Sequence, residues 1–407
     1  MPDSSPNPFD PTSADALPFA EREAAFARLH QHLIDPQPTQ ALVLLGAPGG
    51  GKSALLYHLP ARYTDEVFSF VLLSLRPELL TDETVFLRGM YQALVDTLLT
   101  AGIAEEKLPA LPLRRDNWRV WLAEFALTRL LATLRSGRRL VLLLDDADQL
   151  ISALASGRLA ADLPIFLQSL LRPQLGMVLT VNASLEDQLS ALVPLVNPAQ
   201  AFRLRPLTTA ELIPLFTGPD ADHTHAVSDA VQRATGGKPL LVQRFGYYLW
   251  ERTGSRSMTL DDVTAVTPRL YADADGVYHD AWRGLTLNER LVLTALVSLL
   301  YDQPLLPVTA EQVAAWLTQT DFKMDVTAVH AAVRSLEYHE LLVNARGNLS
   351  PQSALLQRWL LENARLDGLT DAPRPSPPTS PAVPRPLWVL TIAVGIVFII
   401  LVLLRIL

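Results

Sequence analysis

Eight consecutive residues, Gly46-Ala47-Pro48-Gly49-Gly50-Gly51-Lys52-Ser53, are spelled G-x-x-x-x-G-K-[ST], the pattern of a loop that cradles a chain of phosphates. The glycines let successive backbone N–H groups turn inward. A helix opening at Ala54 would add the partial positive charge of its N-terminus. In such a loop Lys52 pairs with the β and γ phosphates and the Ser53 hydroxyl ligates Mg²⁺. A second group of residues fits the same chemistry. Asp145 and Asp146 follow the apolar run Leu140 to Leu144; the first acid is placed to organise the Mg²⁺ shell and the second to polarise an attacking water. Further on, Thr180 and Asn182 at the polar end of a third apolar run are both candidates to sense the γ-phosphate, although Asn is also an ordinary residue for leaving a strand. Asp148 reads as a helix cap or a solvated acid.

These residues act together only if strand ends bring them to one edge. Apolar runs at Ala41 to Leu45, Val67 to Leu75, Leu140 to Leu144, Met177 to Val181 and Ala201 to Leu204 alternate with amphipathic stretches of helical period, such as Val85 to Leu99 and Trp118 to Leu134. The alternation predicts an α/β fold with a buried parallel sheet over 19–205, whose ligands gather at the C-terminal edge of the strands. From 206 to 279 the pattern is helical. From 280 to 366 it is helical again, with a short β-wing around Leu341 to Leu349, where Arg346-Gly347-Asn348 supplies a turn.

The chain has 407 residues, room for about two to three domains. Apolar residues make up 49% and charged residues 19%, with a mean hydropathy of +0.20, which excludes a disordered chain. A net charge of −8 provides no global basic field for nucleic acid. The absence of cysteine excludes disulfides, thiolate nucleophiles, zinc fingers and iron–sulfur ligation. Residues 1–18 contain five prolines and no apolar run, so they are expected to be a disordered lead and not a signal peptide. At the other end, 387–404 is 18 residues without a charge, spanning roughly 27 Å as a helix, close to the hydrocarbon thickness of a bilayer. It is expected to be a transmembrane helix, held off by a proline-rich stalk at 367–386. The expected location is the cell membrane, single-pass, with the N-terminal body cytosolic.

With these motifs in this order, Phe19 to about Leu366 resembles the STAND branch of P-loop ATPases, close to the origin-recognition-like AAA+ proteins. Phe19-Ala20-Glu21-Arg22-Glu23 is similar to the F-x-G-R-E motif that in the family lies beside the adenine, with Glu21 in place of the glycine; Arg22 is thereby implicated in nucleotide binding. Phe202 to Thr208 resembles the strand-to-lid junction. Gly236-Gly237-Lys238-Pro239-Leu240 resembles the lid's G-x-P motif, which places Pro239 near the nucleotide. The resemblance implies a P-loop NTPase parallel sheet of AAA+/STAND type, a helical lid at 206–279, a winged-helix domain at 280–366, and ATP with Mg²⁺ held by Gly46 to Ala54. An Asp at 146, one methylene shorter than the Glu often found there, implies slow turnover. Arg172 is the best-placed arginine-finger candidate but reads better as a surface arginine. From Trp282 to Arg365 there are seven basic and eight acidic residues, and the third helix, Val326 to Tyr338, lacks the basic stripe that DNA binding needs. The expected output is a switch between ADP and ATP states, with a nucleotide-dependent homo-oligomer and an unidentified protein partner at the membrane. The alternatives are a membrane-tethered DNA-binding regulator and an AAA+ component of an envelope or secretion machine.

Overall fold

The computed structural model describes residues 7–10, 22–35, 38–63, 67–111, 117–135, 137–302, 307–320 and 322–364, all within one compact unit, Met1–Ala364. The expected stalk and transmembrane helix lie outside the described residues. Among the described residues, no helix is long and apolar enough to cross a membrane.

The five apolar runs form one parallel sheet of β1 (Leu42–Gly46), β2 (Phe68–Ser74), β3 (Arg139–Asp145), β4 (Leu175–Asn182) and β5 (Phe202–Arg203), in the order β2-β3-β4-β1-β5. Side chains alternate across it. Leu42 and Leu44 of β1 join one core with Leu29 and Leu55, from the helices Glu23–Leu33 and Lys52–Arg62. Val43 and Leu45 join a larger core on the opposite face with Phe86 of the helix Glu83–Thr100 and Leu167 of Leu163–Leu170. Each fully buried leucine contributes about 1.5–3 kcal/mol relative to an exposed one, so packing on both faces holds the strands between helices. The pairing sets Gly46 beside Asn182 and Ser74 beside Asp145. The ends of β1, β3 and β4 therefore emerge at one edge.

The stretch expected as one amphipathic helix from Trp118 to Leu134 is instead Trp118–Val120, a π-helical Trp121–Ala126 and Leu127–Ala132. Trp121, in the wide turn, stands edge-on to both Trp118 and Tyr91. Beyond β5 come the helices Ala221–Thr235, Pro239–Thr253 and Leu260–Gly284. The last runs past the boundary expected at 279/280 to Gly284, and its buried positions Val263, Val266, Leu270, Ala274 and Tyr278 keep a three-to-four-residue spacing up to that boundary. The helices Leu287–Asp302, Ala310–Gln319 and Val326–Tyr338 follow, then the antiparallel hairpin of β6 (Leu342–Ala345) and β7 (Asn348–Pro351), and finally Ala354–Asn363. The hairpin sits where the short wing was expected. Its turn residues Arg346 and Gly347 both have positive φ, 57° and 91°, as a two-residue hairpin turn requires.

The expectation of disorder throughout 1–18 is corrected at residues 7–10. Phe9 is 2% exposed, its ring stacks on Phe216 at 5.6 Å, and Asn7 Nδ2 donates to the Tyr247 carbonyl at 3.2 Å. One aromatic side chain fills the space over Gly246, where a Cβ would collide with its ring. Burial of that ring outweighs the proline-rich composition around it.

Candidate functional site

The loop after β1 takes the shape its glycines permit. Gly49 and Gly51 have φ of 73° and 83°, a region other residues enter only with strain. Gly51 is the N-cap of Lys52–Arg62 and makes no side-chain capping bond, so the N–H groups of the first turn are left for an anion. Lys52 Nζ donates to the carbonyls of Gly46 at 2.9 Å and Ala47 at 3.3 Å. Burial lowers the Lys52 pKa, while Asp148, Asp146 and Asp145 oppose that shift.

At the end of β3, Asp145 is 3% exposed and its Oδ1 accepts from Thr180 Oγ1 at 2.6 Å. Asp146 has φ of 58°, and its N–H donates to Thr180 Oγ1 at 3.0 Å. Thr180 thus braces the two acids from below. Burial raises the Asp146 pKa, and the charges of Asp145 and Asp148 add to it. The reading of Asp148 as a helix cap or solvated acid is corrected. It opens the helix Asp148–Ala155, whose N-cap makes no side-chain bond, and its Oδ1 accepts from the Asn182 N–H at 2.7 Å. Asn182 Oδ1 in turn accepts from the Ser184 N–H, leaving its Nδ2 as the group with hydrogen bonds to give.

Arg22 closes the third side. It is 6% exposed, and both Nη1 and Nη2 are buried without a hydrogen-bond partner. Burial pulls its pKa below the usual value. A Cβ placed on Gly51 would lie 3.7 Å from Nη2, so these orphan donors stand at the phosphate-binding loop. A buried, unpaired guanidinium is costly, and a phosphate oxygen is the partner its geometry suits. The Gly236-to-Leu240 segment comes in from above: the Leu240 N–H donates to the Gly49 carbonyl at 3.2 Å, and Pro239 packs against Gly51.

Together these residues enclose a cavity of about 450 Å³, within the range of small-ligand sites. Pro48 to Ala54, Arg22, Asp146, Asp148 and Asn182 form its polar side; Phe9, Leu207, Leu215, Pro239 and Val242 form its apolar side. Of the residues singled out in sequence, Gly46, Ala47, Asp145 and the sensor candidate Thr180 lie beneath this surface and do not line it. Arg172 is elsewhere, with Nη2 donating to the Ala123 carbonyl at 2.7 Å. Phe9, Leu215 and Val242 were not legible as site residues, since no local motif marks them. Among the described residues no cluster of three or more His, Cys, Asp or Glu side chains is arranged to hold a metal ion. Mg²⁺ binds through a few protein oxygens, waters and substrate phosphates; of the two residues that would serve it, Ser53 lines the cavity and Asp145 lies beneath it.

The AAA ATPase domain family matches residues 18–181. No match was found among curated proteins. Among solved structures, the chain is similar to the Walker-type ATPase PABY2304 of Pyrococcus abyssi, with 16% identity over 84% of this chain and 96% of that one, at a TM-score of 0.57. It also aligns with Cdc6p from Pyrobaculum aerophilum, at 17% identity, 90% and 100% coverage and a TM-score of 0.38. A third is the Aeropyrum pernix Orc1 protein in complex with DNA, at 18% identity, 89% and 97% coverage and a TM-score of 0.35. The first likeness supports a shared fold; the other two are too distant to carry an argument. Residues 18–181 thus match an AAA ATPase domain and carry four strands of the parallel sheet, with β5 following at Phe202–Arg203; a domain of that family implies the binding and hydrolysis of ATP.

Proposed function

We propose that the chain is a membrane-anchored, cytosolic switch of STAND/AAA+ type that binds ATP with Mg²⁺, hydrolyses it slowly and serves signalling or regulated assembly. One observation carries this reading: the cavity is built jointly by the sheet edge and by the 206–279 segment, through Leu207, Leu215, Pro239 and Val242. A ligand held there touches both parts. Contacts to a γ-phosphate exist in only one nucleotide state, so they shift an equilibrium between lid positions by their difference in affinity. In this reading Lys52 leaves the Gly46 and Ala47 carbonyls for the β and γ phosphates. Arg22 supplies its unpaired donors, Asn182 offers Nδ2 to the γ-phosphate, and Asp146 orients and deprotonates the attacking water. Mg²⁺ at Ser53 and Asp145 would neutralise charge on the phosphates. The segment 206–279 acts as the lid and 280–366 as a winged-helix domain that responds to it. The partners are the membrane, an unidentified protein and further copies of the chain.

The test is ATP binding and phosphate release by the full chain and two variants. Lys52→Ala should abolish ATP binding, and Asp146→Asn should bind ATP while losing hydrolysis. If Asp146→Asn hydrolyses at the parent rate, water activation belongs to another residue. If the parent chain binds no ATP, the reading fails altogether.

A further inference from the structure

We propose that Glu340 sets the nucleotide affinity of the cavity from outside the AAA domain, as a built-in anion that competes with phosphate for Lys238, Arg22 and Lys52. This rests on reading the cavity as a nucleotide site. Glu340 lies in the turn between the helix Val326–Tyr338 and β6, far along the chain from the phosphate-binding loop. Yet its carboxylate lies close enough to the Ala47 N–H of that loop for that dipole to help hold its pKa down. The Ala47 carbonyl accepts from Lys52 Nζ at 3.3 Å and from the Gly50 N–H at 2.9 Å, so this loop residue stands between Lys52 and the Glu340 carboxylate. The second carboxylate oxygen, Oε2, is buried and has no hydrogen-bond partner.

The surroundings explain why an acid tolerates this place. Lys238 acts most strongly on it, followed by Arg22 and Lys52. Glu340 is likewise the charge that most supports the half-buried Lys238. Lys238 and Glu340 share a narrow cleft with Gln352, whose Nε2 donates to the Gly236 carbonyl at 3.0 Å. Hairpin, lid segment and loop therefore meet around one carboxylate. The backbone of Glu340 has φ of 54°, where glycine would sit without strain. Burial pushes its carboxyl pKa up, and the neighbouring cations hold it partly down.

A triphosphate changes this balance. Its oxygens draw on the same cations, and its charge repels the carboxylate across a poorly screened interior. Glu340 then keeps only the Ala47 amide to offset its burial and its strained backbone. Nucleotide binding is therefore opposed by Glu340 and, once complete, loosens the hold of the Glu340 turn on the loop.

The test uses the full chain, with ATP and inorganic tripolyphosphate titrated calorimetrically into the parent, Glu340→Gln and Glu340→Gly. Glycine suits the backbone angle, so that variant keeps the test valid if the glutamine variant does not fold. Both variants should bind both probes about five- to tenfold more tightly than the parent. Saturating ATP should also speed amide hydrogen exchange in Leu341 to Ala345 of the parent. Unchanged or weaker binding by the folded variants, or slower exchange with ATP, overturns the role of Glu340 while leaving the nucleotide site intact. A parent that binds neither probe overturns the nucleotide reading and this one with it.

Discussion

Arg22 shows how a single side chain can be set against the stability of the fold that carries it. A guanidinium 6% exposed, with two nitrogens unpartnered, stays charged at the expense of its lost hydration. Glu211 and Glu340 act on it through space, but neither makes a hydrogen bond to those nitrogens. Replacing it by an apolar side chain of similar length should therefore help folding and harm binding. Arg22→Met is expected to raise thermal stability by about 1 kcal/mol or more and to weaken ATP binding roughly tenfold or more. Differential scanning fluorimetry with and without ATP measures both. A variant that melts lower than the parent and binds ATP equally well would mean that Arg22 is a structural residue. Asp146 belongs to the same scale, because its left-handed backbone is the kind of local strain that persists when surrounding bonds enforce it. Here the bond from its N–H to Thr180 does so.

Among the elements, the helix Leu260–Gly284 joins the lid segment to the C-terminal helices, and its start depends on Asp262. That carboxylate is 2% exposed. It accepts from Arg256 Nη1 and Nη2, Arg252 Nε, and the Thr259 N–H and Oγ1. The Arg256 bonds above all hold its carboxyl well below the usual range. A depressed pKa in the folded state contributes stability that is present above the unfolded value and lost as pH falls through the folded one. Asp262→Asn should accordingly cost about 3 kcal/mol near pH 7, and its gap from the parent should narrow as pH falls below about 4. Urea unfolding at several pH values measures that gap; a gap independent of pH would rule out the charge as its source. This capping arrangement is local, and so were the features legible from sequence. The strands β1, β3 and β4 could be read because each is a continuous apolar run buried on both faces. The loop and the acid pair could be read because their spacing alone dictates their chemistry. The role of Asp148 was not legible because its partner, the Asn182 N–H, lies on β4, far from the helix Asp148–Ala155 in sequence. Phe9 and Glu340 were illegible for the same reason on a larger scale: Phe9 meets Phe216 and Gly246, and Glu340 meets Ala47, only after the chain has folded.

For the whole molecule, the decisive property is whether nucleotide state changes the association of its copies. In the proposed switch, the lid and the C-terminal helices occupy one arrangement with ADP and another with ATP. Moving such an equilibrium from almost wholly one state to almost wholly the other needs a difference in affinity of about 10⁴-fold. In that proposal the contacts available for the difference are few: Lys52, Asn182 and Arg22 toward phosphate, with Glu340 opposing them. An arginine supplied between copies is not expected to be Arg172, which is bonded to the Ala123 carbonyl and to Thr128 of its own chain. The compact unit Met1–Ala364 can be tested without the segment expected to enter a membrane. Light scattering should find it monomeric with ADP and assembled with a non-hydrolysable ATP analogue, and the same unit carrying Glu340→Gln should assemble at lower analogue concentration. The stoichiometry separates a closed ring from a dimer, since a ring needs a heterologous interface that closes on itself. If size is unchanged by either nucleotide while both bind, the switch acts within one chain, and its output must pass through the C-terminal helices to a different protein.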